Sequence, residues 1–543
     1  MVEITITGRR LFHWEFFNSQ REKHLDSPTK PRAQNEHSIP EDLQNTADAE
    51  HVVRQPIRQA AANAPRVQSS KRFPNNLPID LGISLDQTGK AFAIVPSIRN
   101  PCALAVGGRA LNNIIREAAQ KEGIRLTKFA LADINEDLQA HAERSTKVTP
   151  VWRRVAPIKG GIEIDSGDEA HTRFVITGDG VRIVRNNSAT VFHRPRSAKS
   201  MVMPAENGDL KLLRKYVNLD AVSFVLFTAW LTYTLAHPKV DGSKYVILTI
   251  LGGQGSGKSL LSKVTKELID PSLVGAQILP ANIKDLSIAA QQSHVLCYDN
   301  LRSLSHAMAD ALCVAATGGS MASRQLYSDA EQHVLHLHVA LVLNGIHAFI
   351  DQPDLAQRCL PLYLEPIEGK QRQSEAEMLQ KLAADMPAIQ RGLFDSIART
   401  IKHFPSAQVI NPERMIDFCK WLAAMEAADG TTPGCYQDLY RDALDEGQLD
   451  ALLDNPLAAA ILEFADELDD DRDWRGTPAT LLSRLNDSVT RSTQYCKDWP
   501  DNPIALSKRL QSLQAGLSTQ GVKIDFGRGK ERTISIEKTG SKK

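Results

Sequence analysis

The chain has no surplus of charge of either sign. Lys plus Arg and Asp plus Glu each number 64 among 543 residues. No global field therefore draws it to nucleic acid or to an anionic membrane, and contact with DNA must come from a local basic patch. Cysteines are scarce: Cys102, Cys297, Cys313, Cys359, Cys419, Cys435 and Cys496 are the only 7, and none forms a Cys-x-x-Cys pair. That spacing argues against a zinc ribbon or a dithiol redox motif. Several lie inside apolar runs, where a thiol behaves as a small hydrophobe, and the usage fits a reducing cytoplasm. Residues 1–10 hold no continuous apolar stretch of the signal-peptide kind. The longest apolar run, residues 221–236, carries Ser, Thr and Tyr and falls short of the roughly 18 residues expected of a spanning helix. Asp220 before it and Pro238 after it mark a buried helix instead, so no membrane partner is expected.

What is present is an ordinary core-forming composition, 42% hydrophobic and 24% charged. At roughly 100–200 residues per domain the length leaves room for about three or four domains. Residues 1–72 read as a mostly disordered arm, since the stretch from Asn18 to Lys71 is too polar to offset its ordering entropy. Trp14, Phe16 and Phe17 ahead of that stretch suit a small β element or a docking segment. Residues 73–204 read as an α+β accessory domain, with strands over 91–95, 174–176 and 181–184, a turn at Gly178-Asp179-Gly180 and a helix over 111–122. Residues 205–405 alternate buried strands with helices, which argues for a parallel sheet. A helical extension, residues 406–470, follows, with helices expected over 412–426 and 449–468. Residues 471–543 close the chain.

Within the third segment stands Gly252-Gly253-Gln254-Gly255-Ser256-Gly257-Lys258-Ser259-Leu260, the GxxxxGK[ST] phosphate-loop pattern. The pattern requires a strand before and a helix after, and residues 245–251 and 258–269 supply them. Glycines let the backbone curl its N–H groups toward phosphate oxygens. Lys258 brings positive charge to the β- and γ-phosphates, and the Ser259 hydroxyl helps to hold Mg²⁺. The start of the helix adds its partial positive charge. ATP with Mg²⁺ is thus the expected cofactor pair. A second apolar strand ends at Asp299, placed to organise the metal. Asn300 follows where many ATPases carry Glu; Asn orients water but cannot take its proton. A third strand ends at Asn344, which reads as a γ-phosphate sensor or as an Asn in a strand-terminal turn. Arg358, after Asp354, reads as an arginine finger acting on a neighbour's site or as one half of an i, i+4 ion pair.

These residues form a long ordered series, with Asp299-Asn300-Leu301, Ala316-Thr317-Gly318-Gly319, Ser323-Arg324-Gln325-Leu326-Tyr327, Leu343-Asn344-Gly345 and Asp354…Arg358 in turn. The series resembles the superfamily 3-like, AAA+-related helicase/ATPase domains of phage, plasmid and mobile-element primase-helicase proteins, over about residues 210–418. The resemblance implies a P-loop NTPase core of the α/β class, hexameric rings with ATP sites between subunits, and motor action on single-stranded or forked DNA. It also implies a β-hairpin in the interval Gly318–Gln332 that reaches DNA. Arg324 there reads as a contact to DNA phosphate, a contact to the neighbouring nucleotide, or a structural partner of Asp329. No primase site is evident, so a separate primase or polymerase is the implied partner.

Toward the end, helices over 478–485 and 504–518 and strands over 522–526 and 532–536 follow the order of a winged-helix-like domain. Lys508 and Arg509 on the second helix and Arg528, Lys530 and Arg532 on the wing make a local basic cluster able to neutralise phosphates; a protein-docking role is the other reading. His333, His336, His338 and His347 lack carboxylates or cysteines at ligand spacing and read as ordinary strand-face residues. The expected function is a cytoplasmic ATP-driven DNA motor, with a nucleotide-switched regulatory or defence ATPase as the alternative.

Overall fold

A computed structural model describes residues 81–95, 100–145, 147–324, 332–346, 349–350, 352–367, 374–468, 473–496, 498–527 and 532–539, without the side chains of 321–324 and 332–335. The expected N-terminal arm lies outside these residues. The chain divides into two compact units, and it is a mixed α/β structure.

In the smaller unit, strands β1 (Gly82–Leu85), β2 (Ala91–Ile94) and β3 (Cys102–Ala105) run antiparallel in sequence order. Asp86 builds the first turn: its carboxylate accepts from the backbone N–H groups of Thr88 at 2.8 Å and Lys90 at 2.9 Å. Helices α1 (Arg109–Lys121) and α2 (Lys128–Arg144) follow. They bury Leu111, Ile115, Leu131, Ile134 and Leu138 around Ala93. α2 begins where Thr127 caps the N–H of Ala130.

The larger unit opens with β4 (Val151–Trp152), which pairs in parallel with β9 (Val191–His193). Strands β5 (Val155–Ile158), β6 (Gly161–Asp165), β7 (Arg173–Thr177) and β8 (Gly180–Val184) form an antiparallel sheet in sequence order. The β7–β8 hairpin turns at the expected Gly178-Asp179-Gly180. Helix α3 (Ala221–Ala236) is capped by Asp220, which accepts from Ser223 N at 2.7 Å. It is buried all round from Leu226 onward, which explains its unbroken apolar run.

The central sheet is wholly parallel, in the order β11 (Val295–Leu301), β14 (Ala340–Gly345), β10 (Ile247–Gly252), β15 (Cys359–Leu364). Burial on both faces lets these strands be apolar without alternation. The open edge of β11 is partly covered by Gln277, which donates its N–H to Cys297 O and accepts from Asp299 N, both at 2.9 Å. Helices α4 (Lys258–Ile269), α5 (Ile283–Gln292), α6 (His306–Thr317) and the short α7 (Pro353–Ala356) connect the strands. Strands β12 (Gly319–Arg324) and β13 (Gln332–Leu337) pair antiparallel between β11 and β14.

The long helix α8 (Glu375–His403) and helices α9 (Ile416–Asp429) and α10 (Cys435–Leu453) close over α3. The single helix expected over 449–468 is instead the end of α10 and a separate α11 (Pro456–Asp466). Pro456 has no N–H to extend a preceding helix, and Asn455 caps the new one through Leu457 N and Ala458 N at 3.1 Å. The C-terminal segment comprises β16 (Trp474–Gly476), α12 (Pro478–Ser488), α13 (Arg491–Gln494), α14 (Pro503–Thr519), β17 (Val522–Gly527) and β18 (Thr533–Lys538), with sheet order β16-β18-β17. Leu481, Leu485, Leu506, Leu510, Leu517, Ile524, Ile534 and Ile536 form its core.

A buried charge network ties the end of α4 to the β5–β8 sheet. Asp270 takes Lys266 at 2.9 Å and Arg154 at 3.0 Å. Arg154 also donates to the carbonyls of Asp165, Ser166, Lys199 and Pro271. The nearby cations hold the Asp270 carboxyl far below its usual range, against the desolvation that would raise it.

Candidate functional site

β10 delivers the chain directly into the glycine loop, and α4 carries it away. Three glycines there have left-handed or otherwise positive φ: Gly252 at 147°, Gly255 at 80° and Gly257 at 92°. A Cβ on Gly252 would stand 2.3 Å from Leu364 O, so only glycine lets the loop pass β15. The Lys258 ammonium lies across the loop and donates to Gly252 O at 2.7 Å and Gly253 O at 2.8 Å. Partial burial pulls its pKa below the usual value, and the negative charge of Asp299 opposes that. Lys258 and Asp299 thus share one electrostatic environment. Ser259 is exposed at the first turn of α4. With Asp299 it offers hard oxygen donors of the kind Mg²⁺ takes. The curled glycines and the α4 N-terminus suit a phosphate chain.

Asn218 was not singled out by its sequence context, yet it braces this loop. Its amide donates to Ser256 O at 3.0 Å and to Glu365 O at 2.6 Å, joining the loop to the end of β15.

The end of β11 is irregular. Tyr298 pairs with Leu343 and Leu301 with Gly345, with a register shift between them. Asp299 and Asn300 therefore oppose the single residue Asn344, a β-bulge. Asn300 takes φ 59°, a left-handed conformation that Asn tolerates far better than Glu. Its N–H is 2.7 Å from Asp299 Oδ1 and 3.1 Å from Asn344 Oδ1. Asn344 is fully buried and donates from Nδ2 to Ser262 Oγ, 3.0 Å away on α4. A Cβ on Gly345 would come within 2.7 Å of Leu301 O, so the bulge needs that glycine. The sequence pointed to Asp299, Asn300 and Asn344 as strand ends; the bulge and the Ser262 contact carry no local sequence signal.

Arg358 makes the i, i+4 ion pair with Asp354 at 2.7 Å and also donates to Asp354 O at 2.6 Å. Arg414 binds the same carboxylate and donates to Gln357 Oε1 at 2.9 Å. The hydrogen bond from Arg358 leads the effects that hold the Asp354 carboxyl below its usual range. The backbone O of Arg358 accepts from Ile247 N at 2.9 Å, anchoring this residue beside β10.

The hairpin expected between the Asp and Asn strands is present as β12–β13, and Arg324 ends β12; its side chain lies outside the described residues. Lys508 is exposed and Arg509 half-buried on α14, and Arg532 is exposed just before β18. Arg528 and Lys530 lie outside the described residues, as does His347. Among the described residues no group of three or more His, Cys, Asp or Glu is placed to hold a metal, and no described helix is long and apolar enough to cross a membrane.

His237, at the end of α3, and His294, just before β11, are each 1% exposed. Burial pushes their pKa values down to about 3 and about 4, respectively. His294 donates from Nε2 to Thr234 O at 2.9 Å. Burial likewise brings Lys239 down to about 7, and its ammonium donates to Ala290 O and Ser293 O.

With this geometry in view, residues 210–450 match the family model of the actinomycete integrative conjugative element replication protein. Residues 457–543 match the AICE RepA C-terminal domain. The resemblance to helicase-like domains of mobile elements is thereby borne out by a replication protein of such an element. No curated protein matches. Among the solved structures that are distantly similar, two serve as examples. The apo C-terminal region of NrS-1 (A form) is 13% identical, with 85% of this chain and 97% of that one covered and a TM-score of 0.36. The SCCmec type IV Cch active helicase is 11% identical, with 85% and 93% covered and a TM-score of 0.41.

Proposed function

We propose that this protein is an ATP-dependent DNA motor, a helicase or translocase, that serves the replication of a mobile element. The observation that carries the reading is the convergence of Lys258, at the start of α4, with Asp299, at the end of a parallel strand of the same sheet. The match of residues 210–450 to a mobile-element replication protein supports the biological setting. Gly252 to Leu260 cradle the phosphates, Lys258 neutralises them, and Ser259 and Asp299 hold the metal. Bound ATP and Mg²⁺ would supply the transferable phosphoryl group and the charge that offsets it. Asn300 and Asn344 shape the water side of the site. Arg358 leaves Asp354 to complete a neighbouring subunit's site in a ring, which we take to be hexameric.

On this reading the β12–β13 hairpin, with Arg324, faces DNA inside the ring. The C-terminal helices and sheet act as a winged-helix domain whose Lys508, Arg509, Arg528, Lys530 and Arg532 meet phosphates. A separate primase or polymerase would act with it in the cytoplasm. Asn300, which cannot serve as a base, favours one second reading: a nucleotide-switched regulatory or defence ATPase without unwinding. Hydrolysis measured with and without forked DNA tests the proposal. A motor speeds up with DNA; turnover indifferent to DNA selects the switch, and no turnover at all rejects both.

A further inference from the structure

We propose that Ser262 is a positioning residue for nucleotide hydrolysis, setting the Asp299–Asn300 bulge through the side chain of Asn344. The inference rests on the nucleotide-site reading above and adds to it a residue that no phosphate-loop pattern includes.

Ser262 lies one turn beyond Ser259 on α4 and is fully buried. Its hydroxyl is the acceptor for Asn344 Nδ2 at 3.0 Å. The Oδ1 of the same amide accepts from Asn300 N at 3.1 Å. Two hydrogen bonds through one buried side chain thus join the helix that begins at the phosphate loop to the bulge that carries Asp299. Both ends of the Asn344 amide are engaged by protein groups. Its orientation is fixed by Ser262 on one side and by a strained backbone on the other. Asn300 must stay left-handed for Asp299 to keep its place, and its N–H is shared between Asp299 Oδ1 at 2.7 Å and Asn344 Oδ1 at 3.1 Å. Cys297, in the same strand, donates from its thiol to Ser262 O at 3.7 Å, a second tie between this turn of α4 and β11.

Removal of the Ser262 hydroxyl leaves the buried Asn344 Nδ2 without its acceptor, and the amide is then held only at its Asn300 end. An amide tethered at one end alone holds the Asn300 N–H less firmly and lets the bulge shift. Asp299 then drifts, while the glycines, Lys258 and the α4 N-terminus remain as they are. Small misplacement of a metal-holding carboxylate slows chemistry more than binding.

The test is Ser262→Ala, Ser262→Thr, Asn344→Ala and the double alanine variant, each assayed for ATP hydrolysis and for affinity toward a fluorescent ATP analogue with Mg²⁺. We expect Ser262→Ala to lower kcat about 10-fold, equivalent to ~1.4 kcal/mol, with analogue affinity nearly unchanged. Ser262→Thr, which keeps the hydroxyl, restores turnover. The double variant is no slower than the worse single one, because both act through one link. Unchanged kcat in Ser262→Ala, an affinity loss equal to the rate loss, or rate losses that multiply in the double variant each overturn the inference. Loss of the nucleotide-site reading looks different: there, wild-type hydrolysis is absent or survives Lys258→Ala.

Discussion

Mild acid should destabilise this protein before its carboxylates titrate, through His237 and His294. Both rings are enclosed, and burial lowers their pKa values to about 3 and about 4. In the unfolded chain each titrates near 6.5. A base whose folded pKa is depressed contributes stability that is complete above the unfolded value and is lost as pH falls through it, because only the unfolded state then gains the proton. At pH 5 the loss per ring is RT ln(1 + 10^1.5), about 2 kcal/mol. The figure depends almost wholly on the unfolded pKa, since both folded values lie below pH 5. Two rings together give ~4 kcal/mol, a large share of the ~5–15 kcal/mol typical of a folded protein. His338, lowered by burial to about 3, acts in the same direction. Asp165 and Asp270, also held low, lose their contributions only as pH falls below the unfolded carboxylate value, outside this window. Urea unfolding followed by fluorescence of the buried Trp230 and Trp421, at pH 7 and pH 5, measures the loss. His294→Gln, which keeps a donor toward Thr234 O but does not titrate in this range, should recover roughly 2 kcal/mol of the difference. A loss below ~2 kcal/mol in the wild type, or an unaltered loss in the variant, refutes the reasoning.

Lys258→Ala should abolish ATP hydrolysis, and unchanged turnover in a colorimetric phosphate assay would falsify the assigned site. Asn300→Gly should leave the melting temperature nearly unchanged, whereas Asn300→Glu should cost about 1 kcal/mol for a bulkier left-handed residue; equal melting of the two would remove the conformational argument. Arg358→Ala subunits mixed with Lys258→Ala subunits should regain hydrolysis, since each supplies what the other lacks; flat activity across mixing ratios speaks against action in trans. Charge reversal at Lys508, Arg509 and Arg532 should weaken DNA binding and flatten its salt dependence by about 0.9 for each phosphate no longer neutralised, and an unchanged slope assigns α14 and β18 to another role.

Much of the central sheet was legible because buried parallel strands are apolar without alternation and these end in glycine or a polar residue. Leu248 to Gly252, Val295 to Asp299 and Leu341 to Asn344 all announce themselves in this way. The β7–β8 hairpin was legible from its glycines. Helix α2 was not singled out; its charged residues mask the buried positions at Leu131, Ile134 and Leu138. The break at Asn455-Pro456 is masked by the apolar residues that continue across it, although cap and proline are both local signals. At the site, residue types were readable but their relations were not. Ser262 and Asn344 are 82 positions apart, and Asn218 and Glu365 are separated by 147. No periodicity reports such pairings, nor the bulge that turns Asn300, since these depend on how strands are stacked after the chain has folded.

Arg154 has a consequence for motion. By spreading one guanidinium over Asp270 and the carbonyls of Asp165, Ser166, Lys199 and Pro271, it ties the far end of α4 to the end of β6 and to the segment after β9. In the proposed function, any movement of that helix on phosphate binding would carry those segments with it. In the proposed motor the β5–β8 sheet is therefore ballast on the power stroke, and loosening this one cation would let the helix swing with less mass attached.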